Sequence, residues 1–128
     1  MKSEENIPLF IKKLLKWKQA RLFICSSEEA SFIKYTLNVL NAFKISYINE
    51  FGDLMKQDGL DPNKVIDFIF QKKAYMRYGK SFVGNCLPKD IKAFASEYGS
   101  SLCNQIIKTN EIHKIRENDL KRVFSRDE

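Results

Sequence analysis

The chain has 128 residues, 44% of them hydrophobic and 30% charged, with a formal net charge of +6. That is the length of one domain, with too much apolar content for a disordered segment. Three irregularly spaced cysteines and a single histidine are too few for a conventional zinc site, and no apolar run nears the roughly 18 residues of a membrane span. Free thiols and the absence of a signal-peptide pattern over Met1–Asn6 point to a cytoplasmic protein.

Residues 7–18 place Ile7, Phe10, Ile11 and Leu14 on one helical stripe, with Lys12, Lys13 and Lys16 away from it. Such a basic amphipathic helix most often docks on its own core, and it also suits a lipid surface or a protein partner. Residues 21–25 read as a short strand, and Ser26 with Glu29 forms a capping-box signal. A long helix is then expected from about Glu28 to Gln57, with Ile33, Leu37, Leu40, Phe43, Tyr47, Phe51 and Leu54 recurring at three- and four-residue steps. At about 1.5 Å per residue it runs about 45 Å, longer than a compact domain of this size needs, and this suggests packing against a second subunit. Gly59 stops it, and Asp61-Pro62 caps and starts another helix to about Lys72. Residues 73–86 lack helical periodicity and read as a loop. Pro88 is expected to open a helix carrying Ile91, Phe94, Ala95 and Tyr98, which Gly99 ends. A last helix is expected from about Leu102 to Phe124. The fold class is mainly α, with one short N-terminal strand.

The run Gly84-Asn85-Cys86-Leu87-Pro88-Lys89-Asp90 holds the residues closest to chemistry. A cysteine at a helix start, beside Lys89 and near a glycine that lets a ligand approach, is suited to a reactive thiolate. A buried structural cysteine fits the same residues. Asp90 can favour the helix dipole or serve as a base beside the thiol. Lys34, Asn38 and Asn41 share one face of the long helix, either as a solvent face or as the lining of a site. Cys25 and Cys103 lie within apolar patterns and are assigned to the core.

Three segments resemble the UDP-glucose/GDP-mannose dehydrogenases. Phe32-Ile33-Lys34-Tyr35-Thr36-Leu37-Asn38, continuing through Phe43 to Asn49-Glu50, is similar to that family's K-x-x-x-N helix ending in N-E. Gly84 to Asp90 is similar to its G-G-x-C-[LF]-P-K-D motif. Tyr75-Met76-Arg77-Tyr78-Gly79 resembles a Y-L-R-P-G substrate loop, and Asn110 matches an asparagine of the following helix. The likeness spans roughly residues 20–116. It implies a helical domain like the C-terminal domain of 6-phosphogluconate dehydrogenase, with residues 1–25 as the end of a Rossmann domain and residues 26–128 as a central dimerisation domain. It also implies oxidation of a nucleotide sugar to the uronate with NAD. Cys86 would be the nucleophile, Lys34 and Asn38 would hold oxygen and water, and Asp90 would assist proton transfer. Tyr75, Arg77, Gly79 and Gly84 would contact the sugar nucleotide, and Lys89 would lie towards the cofactor.

Two departures from the family pattern shape the expectation. No GxGxxG follows a strand, so this chain alone is expected to bind no NAD and to be inactive by itself. Ser81 and Val83 stand where the family has small, glycine-like residues, and a β-branched Val83 would crowd a sugar nucleotide. The expected protein is a free-standing central domain that pairs with itself through residues 28–57. One alternative is half of a split dehydrogenase, with NAD supplied by a Rossmann chain in trans. Another is a non-catalytic interaction module, which the helix at 7–18 motivates. Neither a membrane nor nucleic acid is expected as a partner, since Lys and Arg are scattered without a reader motif.

Overall fold

A computed structural model describes residues 6–124 of the chain, and the surroundings of side chains as far as Lys121. The helices are α1 (Leu9–Trp17), α2 (Ser27–Gln57), α3 (Pro62–Phe70), α4 (Cys86–Tyr98) and α5 (Ser101–Phe124). The chain divides into two compact units, Met1–Lys34 and Tyr35–Glu128, with the boundary inside α2.

In the first unit the Pro8 carbonyl accepts from the amides of Ile11 and Lys12 at 3.0 and 3.1 Å, which starts α1. None of the residues of α1 is buried, and Leu9, Phe10, Leu14 and Trp17 stand exposed. The strand expected at 21–25 does not form. Residues 20–26 are irregular, because a strand needs a neighbour to take its amides and carbonyls and none occurs among the described residues. Cys25, assigned to the core from its apolar neighbours, is only partly buried. The capping box does form: Glu29 N–H donates to Ser26 Oγ at 3.1 Å, and Ser26 N–H donates to Glu29 Oε2 at 2.9 Å.

The core of the second unit joins α2, α4 and α5. Ala42, Phe82, Ile91, Ala95, Cys103 and Ile106 are buried together, with Val39, Ile45, Leu87, Phe94 and Ile107 packed around them. Each fully buried isoleucine contributes about 1.5–3 kcal/mol relative to exposure. On the opposite side of α2, Leu37, Leu40, Phe43, Tyr47, Phe51 and Leu54 remain exposed as one stripe. Tyr47 stacks on Phe51 with ring centroids 4.5 Å apart.

Helix ends explain two shifts from expectation. Asp61 caps α3 through Asn63 N–H at 3.0 Å, and α3 ends at Phe70 because Gln71 turns left-handed with φ 53°. The helix expected to open at Pro88 opens at Cys86 instead. Pro88 sits within the first turn, where a missing N–H costs no intrahelical bond. Gly99 ends α4 in the left-handed region, and Ser100 Oγ then accepts Cys103 N–H at 3.2 Å to start α5.

Candidate active site

Cys86 is the first residue of α4 and is exposed. Asp90 lies one turn later on the same face and is only 2% exposed. Its Oδ2 accepts from Asn38 Nδ2 on α2 at 2.7 Å, and Lys89 Nζ stands 3.7 Å from Oδ1. An exposed thiol therefore sits one helical turn from a buried carboxylate that α2 holds in place. Gly84 leads into this turn with φ 96°, a conformation that glycine adopts without strain, and a Cβ there would meet no other atom. Lys34 is exposed and belongs to the first unit, whereas Asn38, Cys86 and Asp90 belong to the second.

The segment before Cys86 is held residue by residue. Tyr78 OH donates to Asp53 Oδ1 at 2.7 Å. Gly79 N–H donates to Asn49 Oδ1 at 2.9 Å, and Asn49 Nδ2 donates to the Lys80 carbonyl at 2.9 Å. Ser81 reaches Glu117 Oε2 through its N–H at 3.3 Å and its hydroxyl at 2.8 Å. Phe82 N–H donates to Asn110 Oδ1 at 2.9 Å, while Asn110 Nδ2 returns to the Phe82 carbonyl at 3.1 Å. Two buried amide side chains thus do for this segment what a neighbouring strand would do, satisfying donor and acceptor together.

Asp53 also accepts from His113 Nδ1 at 2.8 Å and Arg116 Nη1 at 3.1 Å. The ionised carboxylate assigns a proton to Nδ1, and the buried Nε2 of His113 finds no hydrogen-bond partner among the described residues. Burial pushes the Asp53 carboxyl up, but the bonds from His113 and Tyr78, the charge of His113 and the Arg116 bond outweigh it and hold it below the usual value. Burial and the Asp53 carboxylate push the Tyr78 hydroxyl well up. For Glu117, burial is outweighed by the Ser81 bonds and by Lys121, and its carboxyl also sits low.

Two clefts meet at Val83, which is 56% exposed. One, of about 320 Å³, is bounded by Tyr75, Arg77, Lys80 and Leu87, with Ile45 and Phe82 at its apolar side. The other, of about 160 Å³, is lined by Gly84, Pro88, Ile91 and Ile107 together with Lys92, Glu111 and Lys114. Tyr75 has φ 65°, and Arg77 Nε donates to the Lys72 carbonyl at 3.3 Å. Gly79, expected at the substrate, is engaged through its backbone by Asn49.

Residues 28–118 match the UDP-glucose/GDP-mannose dehydrogenase family, central domain. The chain belongs to that family. Among its relatives, a GDP-mannose 6-dehydrogenase of Pseudomonas syringae pv. syringae is 40% identical over 92 residues, covering 63% of this chain and 21% of that protein. A GDP-mannose 6-dehydrogenase of Pseudomonas aeruginosa is 44% identical over 72 residues, 52% of this chain and 16% of the relative. The UDP-glucose 6-dehydrogenase TuaD of Bacillus subtilis is 32% identical over 97 residues, 69% of this chain and 21% of the relative. The chain thus spans about a fifth of the length of the curated relatives it matches. No solved structure gives a significant match.

Within this family domain, Asp53 and Glu117 were not singled out by sequence reasoning, His113 entered only as the single histidine, and Asn49 and Tyr78 entered only as members of matched motifs with no role of their own. Their signal was faint: Ser46, Asn49 and Asp53 are polar residues on the side of α2 that turns towards the core. Among the described residues no strand, glycine-rich turn and helix come together in the arrangement that seats a dinucleotide pyrophosphate. Lys89, expected towards a cofactor, is paired with Asp90 and its side chain is 70% exposed. No group of three His, Cys, Asp or Glu residues suited to a metal ion occurs among them, and no described helix is long and apolar enough to cross a membrane.

Proposed function

We propose that this chain serves as the central domain of a nucleotide-sugar 6-dehydrogenase, with Cys86 as nucleophile and the Tyr75–Arg77 cleft as the sugar-nucleotide site. The observation that carries the proposal is the exposed Cys86 one turn from the buried Asp90–Asn38 pair, next to Leu87 at the border of that cleft. In this reading Sγ of Cys86 adds to the carbonyl carbon of a C6 aldehyde to give a thiohemiacetal; loss of its hydride, for which NAD would be the acceptor, leaves an acyl thioester, and water then releases the carboxylate and the free thiol. Asp90 takes or returns the proton, and Asn38 fixes its orientation. Arg77 and Lys80 face the diphosphate, and Tyr75 offers a ring to the sugar or base. NAD would supply the two-electron chemistry, held by a Rossmann-type domain outside residues 28–118.

The exposed stripe from Leu37 to Leu54 supports pairing with a second copy through α2. The decisive assay combines the chain, NAD, a nucleotide-binding domain from one of the relatives, and either GDP-mannose or UDP-glucose. Reduced NAD should form with the complete mixture, and Cys86→Ala should abolish it. No turnover, or turnover indifferent to that substitution, rejects the catalytic reading. A second reading, a non-catalytic interaction module, is favoured by α1, where no residue is buried. It predicts binding of another protein that survives Cys86→Ala and is lost on Phe10→Asp.

A further inference from the structure

At the start of the clamped segment, a lock between α2 and α5 engages a single loop residue. Gly52 is buried on α2, and a Cβ there would overlap the ring of Tyr78, so the ring rests directly on helix backbone. The Tyr78 hydroxyl ends on Asp53 at 2.7 Å, and its ring meets His113 edge-on with centroids 5.8 Å apart. Asp53 is tied in turn to His113 and Arg116 of α5. The ring of residue 78 is therefore seated on α2 and its hydroxyl tied to Asp53, while its neighbour Arg77 lines the cleft.

In the Y-L-R-P-G pattern the position of Tyr78 is a proline, whose ring fixes φ covalently near −65°. Tyrosine has no such constraint. We propose that the Gly52–Tyr78–Asp53 lock takes the place of that proline, as a positioning device that aims Arg77, and with it Tyr75, at a nucleotide sugar. The inference rests on the function proposed above for the cleft. Its reach is limited in a testable way. Phe82 is gripped separately by Asn110 through two bonds, so the Cys86 end of the loop is insulated from the lock. Releasing Tyr78 should disturb binding and leave the thiol as it was.

The test compares the unmodified full chain with Gly52→Ala, Tyr78→Phe and the double variant Gly52→Ala/Tyr78→Pro. Calorimetric titration with GDP-mannose and with UDP-glucose measures affinity, iodoacetamide alkylation measures Cys86, and hydrogen exchange reports the amides of residues 79–82. Gly52→Ala should weaken nucleotide-sugar binding about tenfold, the worth of one misdirected charge-assisted hydrogen bond. It should hasten exchange at Gly79, whose N–H donates to Asn49, and leave Phe82 exchange and Cys86 alkylation within twofold. Tyr78→Phe, which keeps the ring, should shift affinity in the same direction by less. The double variant, with neither clash nor tyrosine, should recover most of the affinity. Affinity and alkylation falling together, or no recovery in the double variant, would reduce the lock to general stability and overturn the proposal. If the unmodified chain binds neither nucleotide sugar, the function proposed above falls. The lock is then judged by exchange alone, and an unchanged rate at Gly79 in Gly52→Ala overturns it too.

Discussion

Asp53 accepts from Tyr78, His113 and Arg116 at once, and its side chain is only 8% exposed. Removing it would leave buried donors without an acceptor, so Asp53→Ala is expected to cost about 3 kcal/mol in denaturant unfolding. Its carboxyl lies below the ordinary value in the folded state. The stability it contributes is therefore fully present above the unfolded-state value of about 3.9, and it is lost as pH falls through the lower folded value. Asp53→Asn should flatten the acid limb of stability against pH, and superimposable limbs would show that Asp53 is not its source. Among the cysteines, Cys86 is exposed, Cys25 partly buried and Cys103 buried. Alkylation followed by peptide mass mapping should label Cys86 first, and a Cys86 as slow as Cys103 would count against its role as nucleophile. The motif cysteine could be read from the sequence because its markers are its own neighbours. Asp53 could not, since its three donors come from residues 25 to 63 positions away.

Among the elements, α2 was legible because its apolar periodicity is sustained over many turns, whereas the strand at 21–25 was not. β-like composition is local, but a strand exists only with a partner that composition does not reveal. The start of α4 moved by two residues because proline is tolerated throughout a first turn, which makes Pro88 a poor marker of the first position. The same helix α2 presents two different faces, Ala42, Ser46 and Asn49 inward and Leu40, Phe43, Tyr47 and Phe51 outward. Tyr47→Asp places a charge in the outward stripe without touching the core. Sedimentation should then show a monomer where the unmodified chain sediments as a dimer, at nearly the same melting temperature. Two monomers, or two dimers, would remove α2 as the pairing face.

For the molecule as a whole, Asn38, Asp90 and Cys86 come together on adjoining helices, and binding of a nucleotide sugar there is a different matter from binding of NAD. Ligand-induced stabilisation should separate the two. A nucleotide sugar at about 100 times its Kd should add about 2.7 kcal/mol to unfolding, and NAD at the same concentration should add nothing measurable. Stabilisation by NAD alone would contradict the assignment of the cofactor to a separate domain. The clamp over residues 78–82 has a further consequence for how such a site can change over time. Asn49 and Asn110 grip peptide groups of Gly79, Lys80 and Phe82, so the grip does not depend on the side chain at position 80. Lys80 and Val83, which border the cleft, are thereby released from structural duty. The lining can be rewritten one residue at a time on a backbone that stays put, so new ligand preferences are reachable by single substitutions that cost the fold little.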